Sequence, residues 1–383
     1  MTLLVAGGRA LLPDGAGRVA DLLIEDGRIV RIGAGPAPGA RRFDASGLLV
    51  LPGIVDLHGD AFERQIQPRH GIEFPMPLAL RDTEAQLLAN GITTAFHAVT
   101  LSWEPGLRGP VAWRAMLDAL DAMRPGAACD MRVHMRWELH NLDALEMALA
   151  DIEAGRVHLV SFNDHTPAIL RKIGDPAAAA KYSERAMLSV PEFRALAGRA
   201  RRPDADVAAA TRRVAAAARR HGLPMASHDD DSVAARAAYR GLGARICEFP
   251  MAEDVAGAAQ AAGDWVVMGA PNVVRGGSHL GWASAAALAE RGLCTVLSSD
   301  YYYPALMQAA FALARAGALP LSQAWALISA SPARAAGLLD RGEIAEGMRA
   351  DLAVVSPDGG AVVATIAQGR AAYLGKAGAG RFS

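Results

Sequence analysis

At 383 residues the chain has room for two to three domains of about 150 residues each, or for one large barrel with an appendage. Its 52% hydrophobic and 21% charged residues match a globular protein with a sizeable core and exclude a disordered chain. Thirty-nine basic against 40 acidic residues leave a net charge of −1, which argues against a protein that coats nucleic acid.

No apolar run approaches the roughly 18 residues of a membrane span, and the start, Met1 to Arg9, shows neither a basic stretch nor a cleavage site. A cytoplasmic protein with no membrane or nucleic-acid partner is therefore expected. Cys129, Cys247 and Cys294 are too widely spaced to suggest a disulfide framework or a thiolate metal site. Only three lysines occur, Lys172, Lys181 and Lys376, so chemistry that needs a lysine has few candidates.

Residues 1–52 read as short strands: the apolar runs 3–6, 21–25 and 29–32 are separated by Gly and Asp-Gly turn signals. The stretch 342–383 is similar, with runs at 351–355, 362–366 and 371–374. The two ends are expected to build one small β-sandwich domain. Between them, over 53–341, apolar runs alternate with Ala/Leu/Arg-rich stretches of helical period. The runs are 53–58, 93–99, 131–138, 157–165, 224–228, 244–249, 265–270 and 294–300. The helical stretches include 84–90, 111–123, 205–220, 232–241, 253–262, 283–291, 304–316 and 321–337. Eight strand–helix repeats predict an α/β fold, a (β/α)8 TIM barrel. An open doubly wound sheet is the alternative, but no Gly-rich phosphate fingerprint follows the first strand. Residues 166–204 have the least regular pattern and are expected to form an insertion over the barrel mouth.

Barrels bind ligands at the C-terminal ends of their strands. The first strand ends in His58-Gly59-Asp60, the third in Glu138, the fourth in Asp164-His165, the fifth in His228-Asp229-Asp230 and the eighth in Asp300. Three histidines and three carboxylates gathered at that end would be costly to bury without a cation. Mixed imidazole and carboxylate ligands suit zinc, manganese or iron, and His58, Asp60, Glu138, His165, His228 and Asp300 suffice for two divalent metal ions. Asp229 or Asp230 is expected to orient a ligand, with at least one of them serving as a helix cap. His97, His134 and His140 are read as core or supporting residues.

The segment Pro52-Gly53-Ile54-Val55-Asp56-Leu57-His58 and the ending Glu346-Gly347-Met348-Arg349-Ala350-Asp351-Leu352 resemble the amidohydrolase superfamily. The resemblance implies a distorted (β/α)8 barrel with a β-sandwich from both termini. It also implies Glu138 as the group bridging two metals, since no lysine ends a strand, with His165 and His228 as ligands and Asp300 as ligand and general base. Within the superfamily the chain looks like the diphosphatases of phosphonate catabolism that act on a ribosyl 5-triphosphate. The carriers are Glu63, Pro68-Arg69, Gly91-Ile92-Thr93-Thr94, Ser227-His228-Asp229-Asp230, Glu248-Phe249-Pro250, Ser298-Ser299-Asp300-Tyr301-Tyr302 and above all Met268 through His279. It departs from them at Gly59, Ala61, His70, Phe74, Leu280 and Trp282.

That resemblance implies hydrolysis of a phosphoanhydride with release of pyrophosphate, Asp300 and His228 being catalytic. An anionic small molecule needs local cations, and Arg275 on the Gly-rich loop after the seventh strand is the first candidate, with Asn272 beside it and Arg69 and Arg136 next. His279 reads as a phosphate ligand, an acid or a structural turn residue, and Tyr301, Tyr302 and Tyr303 as pocket walls. Another two-metal reaction, deacetylation of an N-acyl compound or deamination of a ring, is the alternative, and a catalytically dead binding barrel a third. Barrels of this size often self-associate, so a homo-oligomer is compatible with the sequence.

Overall fold

The computed structural model describes residues 2–33, 35, 37–277 and 284–383. Five N-terminal strands come first: β1 (Thr2–Leu11), β2 (Gly17–Glu25), β3 (Arg28–Ile32), β4 (Arg41–Asp44) and β5 (Leu49–Pro52). Eight strands of the middle follow: β6 (Ile54–Gly59), β7 (Ile92–Leu101), β8 (Asp130–Glu138), β9 (Leu159–Asn163), β10 (Met225–His228), β11 (Ile246–Glu248), β12 (Trp265–Gly269) and β13 (Val296–Ser298). The chain closes with β14 (Leu352–Val355), β15 (Val362–Ala367) and β16 (Arg370–Leu374).

The terminal strands share one sheet in the order β16-β15-β14-β5-β1-β2-β3, with β4 paired to β1. Its core joins both ends of the sequence, for Leu3, Val5, Ile24 and Phe43 pack with Leu352 and Ile366. The seam with the barrel is polar as well as apolar: Trp325 Nε1 donates to the Pro52 carbonyl at 3.0 Å, and Gly53 N to the Asp351 carbonyl at 2.8 Å.

Strands β6 to β13 lie in sequence order, all parallel. Their inward side chains, among them Val55, Phe96, Leu159, Ala226, Ile246 and Val267, fill the barrel. The ring closes at a single bridge, Gly59 with Asp300, where Asp300 N donates to the His58 carbonyl and Asp60 N to the Asp300 carbonyl, both at 2.9 Å. Strands β11 and β13 have three residues each, which distorts the later half of the barrel.

Two predicted elements differ. The helix expected over 321–337 is two, Leu321–Ala326 and Ala330–Ala335. Pro332 has no N–H and its ring would collide with the carbonyl four residues back, so the helix restarts at Ser329. The region 166–204 is not irregular: it holds helices Thr166–Lys172, Pro176–Arg185 and Val190–Ala200. The prolines read as breakers sit at the first or second position of each helix, where the missing N–H is harmless. Asp175 and Ser189 cap the second and third, the latter through a reciprocal capping box with Glu192. This cap has its own core around Ile169, Ile173, Phe193 and Ala197. Among the described residues no helix is long and apolar enough to cross a membrane.

Candidate active site

Three backbone features mark the C-terminal end of the barrel. Asp229, Phe249 and Asp300, just past β10, β11 and β13, all adopt left-handed backbone conformations, with φ of 57°, 54° and 54°. Such φ values are unusual for residues with side chains and collect at functional sites. They turn the chain sharply right after His228 and Glu248, which lie side by side at 3.3 Å, and at Asp300 itself.

Glu248 is the hub. Fully buried, it takes the Nδ1 of His58 on Oε1 at 3.1 Å and the Nδ1 of His228 on Oε2 at 3.3 Å. Ser161 Oγ donates to Oε2 at 2.9 Å, and His134 Nε2 lies 3.7 Å from that oxygen. With Nδ1–H committed to the carboxylate, His58 and His228 each present Nε2 as a lone pair. Their rings stack 5.3 Å apart. Burial pushes His58 and His134 down to about 3 and His228 well below its usual value, so all three are neutral imidazoles at neutral pH.

Among the described residues two groups offer donor atoms within 4.8 Å of one another: His58, His134 and Glu248, and His165, His228 and Asp229. The first fits a divalent cation on chemical grounds. His134 Nδ1 bonds the Leu57 carbonyl at 3.0 Å, so its proton sits there and Nε2 carries a lone pair. That buried nitrogen has no hydrogen-bond partner and faces a carboxylate oxygen. Two acceptors facing each other in a dry site call for a cation between them.

The sequence-predicted ligands distribute unevenly. His58 and His228 stand at the hub. His165, at the start of the cap, has Nδ1 3.4 Å from Glu138 Oε2 and Nε2 3.6 Å from Asp229 Oδ2. Glu138 is buried with both oxygens engaged: Oε2 accepts from His165 N at 3.3 Å, and Oε1 from Thr166 N at 3.1 Å and Thr166 Oγ1 at 2.7 Å. Asp60 lies 3.6 Å from Arg136 Nη1, and Arg136 Nη2 meets His228 Nε2 at 3.0 Å. Burial, and then the nearby charge of Asp60, pushes Asp300 up to about 7.

Some expected roles move. Helix Val233–Gly241 is capped by Ser232, and Asp230 instead bonds Ser227 Oγ at 2.5 Å beside the buried Arg236. Asp164 lies 3.6 Å from His140 Nε2. Arg275 is exposed and reaches Tyr301 Oη at 3.4 Å, Arg69 is exposed, and Asn272 Oδ1 accepts from Ala285 N at 3.0 Å. His279, Leu280 and Trp282 lie outside the described residues. Tyr303 is buried beside Gly59, whereas Tyr302 is exposed.

Sequence reasoning gave Glu248 and Asp56 no role in the site, although both lie in segments that carry the family resemblance. Asp56 holds the ring shut: its oxygens accept from Ser299 N at 3.0 Å and Ser299 Oγ at 2.5 Å. Burial pushes it up to about 6 despite these bonds. This clasp explains Gly59, since a Cβ there would stand 2.7 Å from Asp56 Oδ2 and 2.9 Å from Ser299 Oγ.

Beside the hub opens a cavity of about 460 Å³ whose floor includes His165, His228 and Asp229. Its cations are Arg108, Arg136, Arg171, Lys172 and Arg185, against the acids Glu104, Asp164, Asp229 and Asp231.

The chain is 34% identical over 321 residues to the alpha-D-ribose 1-methylphosphonate 5-triphosphate diphosphatase of Escherichia coli K12, covering 81% of this chain and 83% of that one. A shorter stretch of 61 residues, 15% of this chain and 14% of the other, is 46% identical to a dihydroorotase of Geobacter metallireducens. In overall fold it is similar to the beta-aspartyl dipeptidase of Fervidobacterium islandicum AW-1, with a TM-score of 0.67 at 14% identity over 98% of this chain and 96% of that one. Residues 49–372 match the Amidohydrolase family, a range that takes in the whole barrel with β5, β14 and β15. The chain belongs to the amidohydrolase family.

Proposed function

We propose that this chain is a metal-dependent hydrolase that cleaves the phosphoanhydride of a ribosyl 5-triphosphate, α-D-ribose 1-methylphosphonate 5-triphosphate or a close analogue, in phosphonate catabolism in the cytoplasm. Water adds to the phosphorus attached to the ribose 5-oxygen, the bond to the bridging oxygen breaks, and pyrophosphate leaves. The observation that carries this reading is the cavity whose five cations open directly onto His165 and His228. Its support is the similarity to the Escherichia coli diphosphatase over four-fifths of the chain.

The cation that His58, His134 and Glu248 call for and a second one would be held with Asp60, Glu138, His165, His228 and Asp300, zinc first and manganese or iron as the other suitable choices. When bound, such ions lower the pKa of water and draw charge from phosphoryl oxygens. Asp300, at the closing bridge of the ring beside these ligands, would take a proton from the attacking water and return it to the leaving group. Arg136, between Asp60 and His228, places a guanidinium where charge develops on the reacting phosphoryl group.

The test is to measure metal content and to follow phosphate products from a panel of nucleoside and ribosyl triphosphates, with Asp300→Asn as control. Pyrophosphate release that falls at least a hundredfold in the variant supports the reading. Two bound metals with no phosphate product from any triphosphate refute it, and amide and ring-deamination substrates take its place.

A further inference from the structure

The cavity beside the metal-binding hub continues past it. Arg108 and Arg185 line both the 460 Å³ cavity and an adjoining one of about 180 Å³ that Glu63, Arg64 and Gln67 help to close. The two arginines come from different parts of the fold. Arg108 ends the short turn Gly106–Arg108 after β7, and Arg185 ends the cap helix Pro176–Arg185. The two stretches lie side by side: a Cβ on Gly106 would stand in ordinary contact with the Arg185 carbonyl, at 3.4 Å. Tyr182 lies beneath Arg185, its ring centroid 5.1 Å from the guanidinium carbon.

Each guanidinium has only part of its donors engaged. Arg185 pairs with Glu104, and Arg108 lies 3.7 Å from Glu63, too long for a hydrogen bond. The Nε–H groups of Arg108, Arg136 and Arg185 are all buried and have no hydrogen-bond partner. All three arginines line the larger cavity, and a buried charged donor left without a hydrogen-bond acceptor is costly even where a carboxylate stands nearby. An anion with several oxygens satisfies them together, and a guanidinium binds phosphate oxygens in pairs.

We infer that Arg108 and Arg185 form a subsite for the terminal diphosphate of the substrate, so that the helical cap recognises the length of the phosphate chain. This rests on the diphosphatase reading and deepens it: Arg136 attends the phosphorus that is attacked, and the cap arginines hold the pyrophosphate that departs. Lys172 and Arg171, on the first cap helix, add charge along the same wall.

The probes are inorganic pyrophosphate and orthophosphate, titrated by calorimetry into metal-loaded wild-type protein and into Arg185→Met and Arg108→Met. Pyrophosphate is expected to bind about ten- to a hundredfold more weakly to each variant, the loss of one charged hydrogen-bonding partner. Orthophosphate, which offers a single phosphoryl group, should bind almost unchanged. Arg185→Lys, which keeps the charge but not the paired donors, should fall between. Equal weakening of both anions, or no weakening of either, overturns the inference. Failure of the wild type to hydrolyse any triphosphate would count against the diphosphatase reading, while the contrast between the two anions would still report on the subsite.

Discussion

His97 gives the sharpest physical test of the barrel. It sits in the middle of β7, beside Gly59 and Val133 in register, with its ring edge-on to Phe62 at 5.3 Å. The residue is buried, and neither ring nitrogen has a hydrogen-bond partner. Burial alone pulls its pKa down from 6.5 to about 4. In the unfolded chain the imidazole titrates at its ordinary value, so between those limits the unfolded state binds more protons. Stability from this residue is therefore complete above pH 6.5 and is lost as pH falls towards 4. The full difference is about 3 kcal/mol at about 1.4 kcal/mol per unit, and roughly 1 kcal/mol of it is lost by pH 5.5. His97→Leu removes the titration and both unpartnered nitrogens. At pH 7.5 the variant should be within about 1.5 kcal/mol of the wild type, repacking offsetting the relief of buried polarity. In urea denaturation at pH 7.5 and 5.5, its stability relative to wild type should rise by roughly 1 kcal/mol at the lower pH. His158, also held at about 4 by burial, and the histidines of the mouth titrate in both proteins and cancel in the difference. A difference that does not change with pH would refute the reasoning. So would a large loss at pH 7.5, which would mean that the ring has a partner that leucine cannot replace.

Two other residues make direct predictions. Glu248→Gln keeps the size of the hub but takes the charge from the acceptor that fixes Nδ1 of His58 and His228, so metal affinity should fall by about ten- to a hundredfold in competition with a chelator. Unchanged affinity would mean that the imidazoles do not need this carboxylate. Gly59→Ala drives a methyl against Asp56 and Ser299 at the closing bridge, and a loss of about 1–3 kcal/mol in denaturant unfolding, with reduced turnover, is expected. A variant as stable and active as the wild type would show that the clasp between β6 and the Asp300 turn has slack.

How much could be read from the sequence follows from what each element contributes locally. Parallel barrel strands are buried on both faces, so their continuous apolar runs and polar ends stand out, and His58, His165, His228 and Asp300 fall at those ends in the structure. The cap was hidden because Pro167, Pro176 and Pro191 look like breakers until a helix is known to start just before each of them. What no local pattern carries is which partner a carboxylate meets. Glu138 and Glu248 each end an apolar strand, and spacing treats them alike. In the fold, Glu138 turns towards the first N–H groups of the cap, joining β8 to the helix that brings His165 over the mouth. Glu248, on a three-residue strand, receives the imidazole of its register partner His228 on neighbouring β10 and that of His58 from β6, which is not its neighbour. His58 and Glu248 are 190 residues apart in sequence, so their contact exists only once the ring has closed. The same holds for Arg108 and Arg185. Each alone reads as a surface arginine, and only the approach of the cap to the turn after β7 brings both to the lining of one cavity. Ligand-end chemistry is thus written strand by strand, whereas the orientation of those ligands and the recognition of a long anion come from closure of the barrel and the seating of its cap.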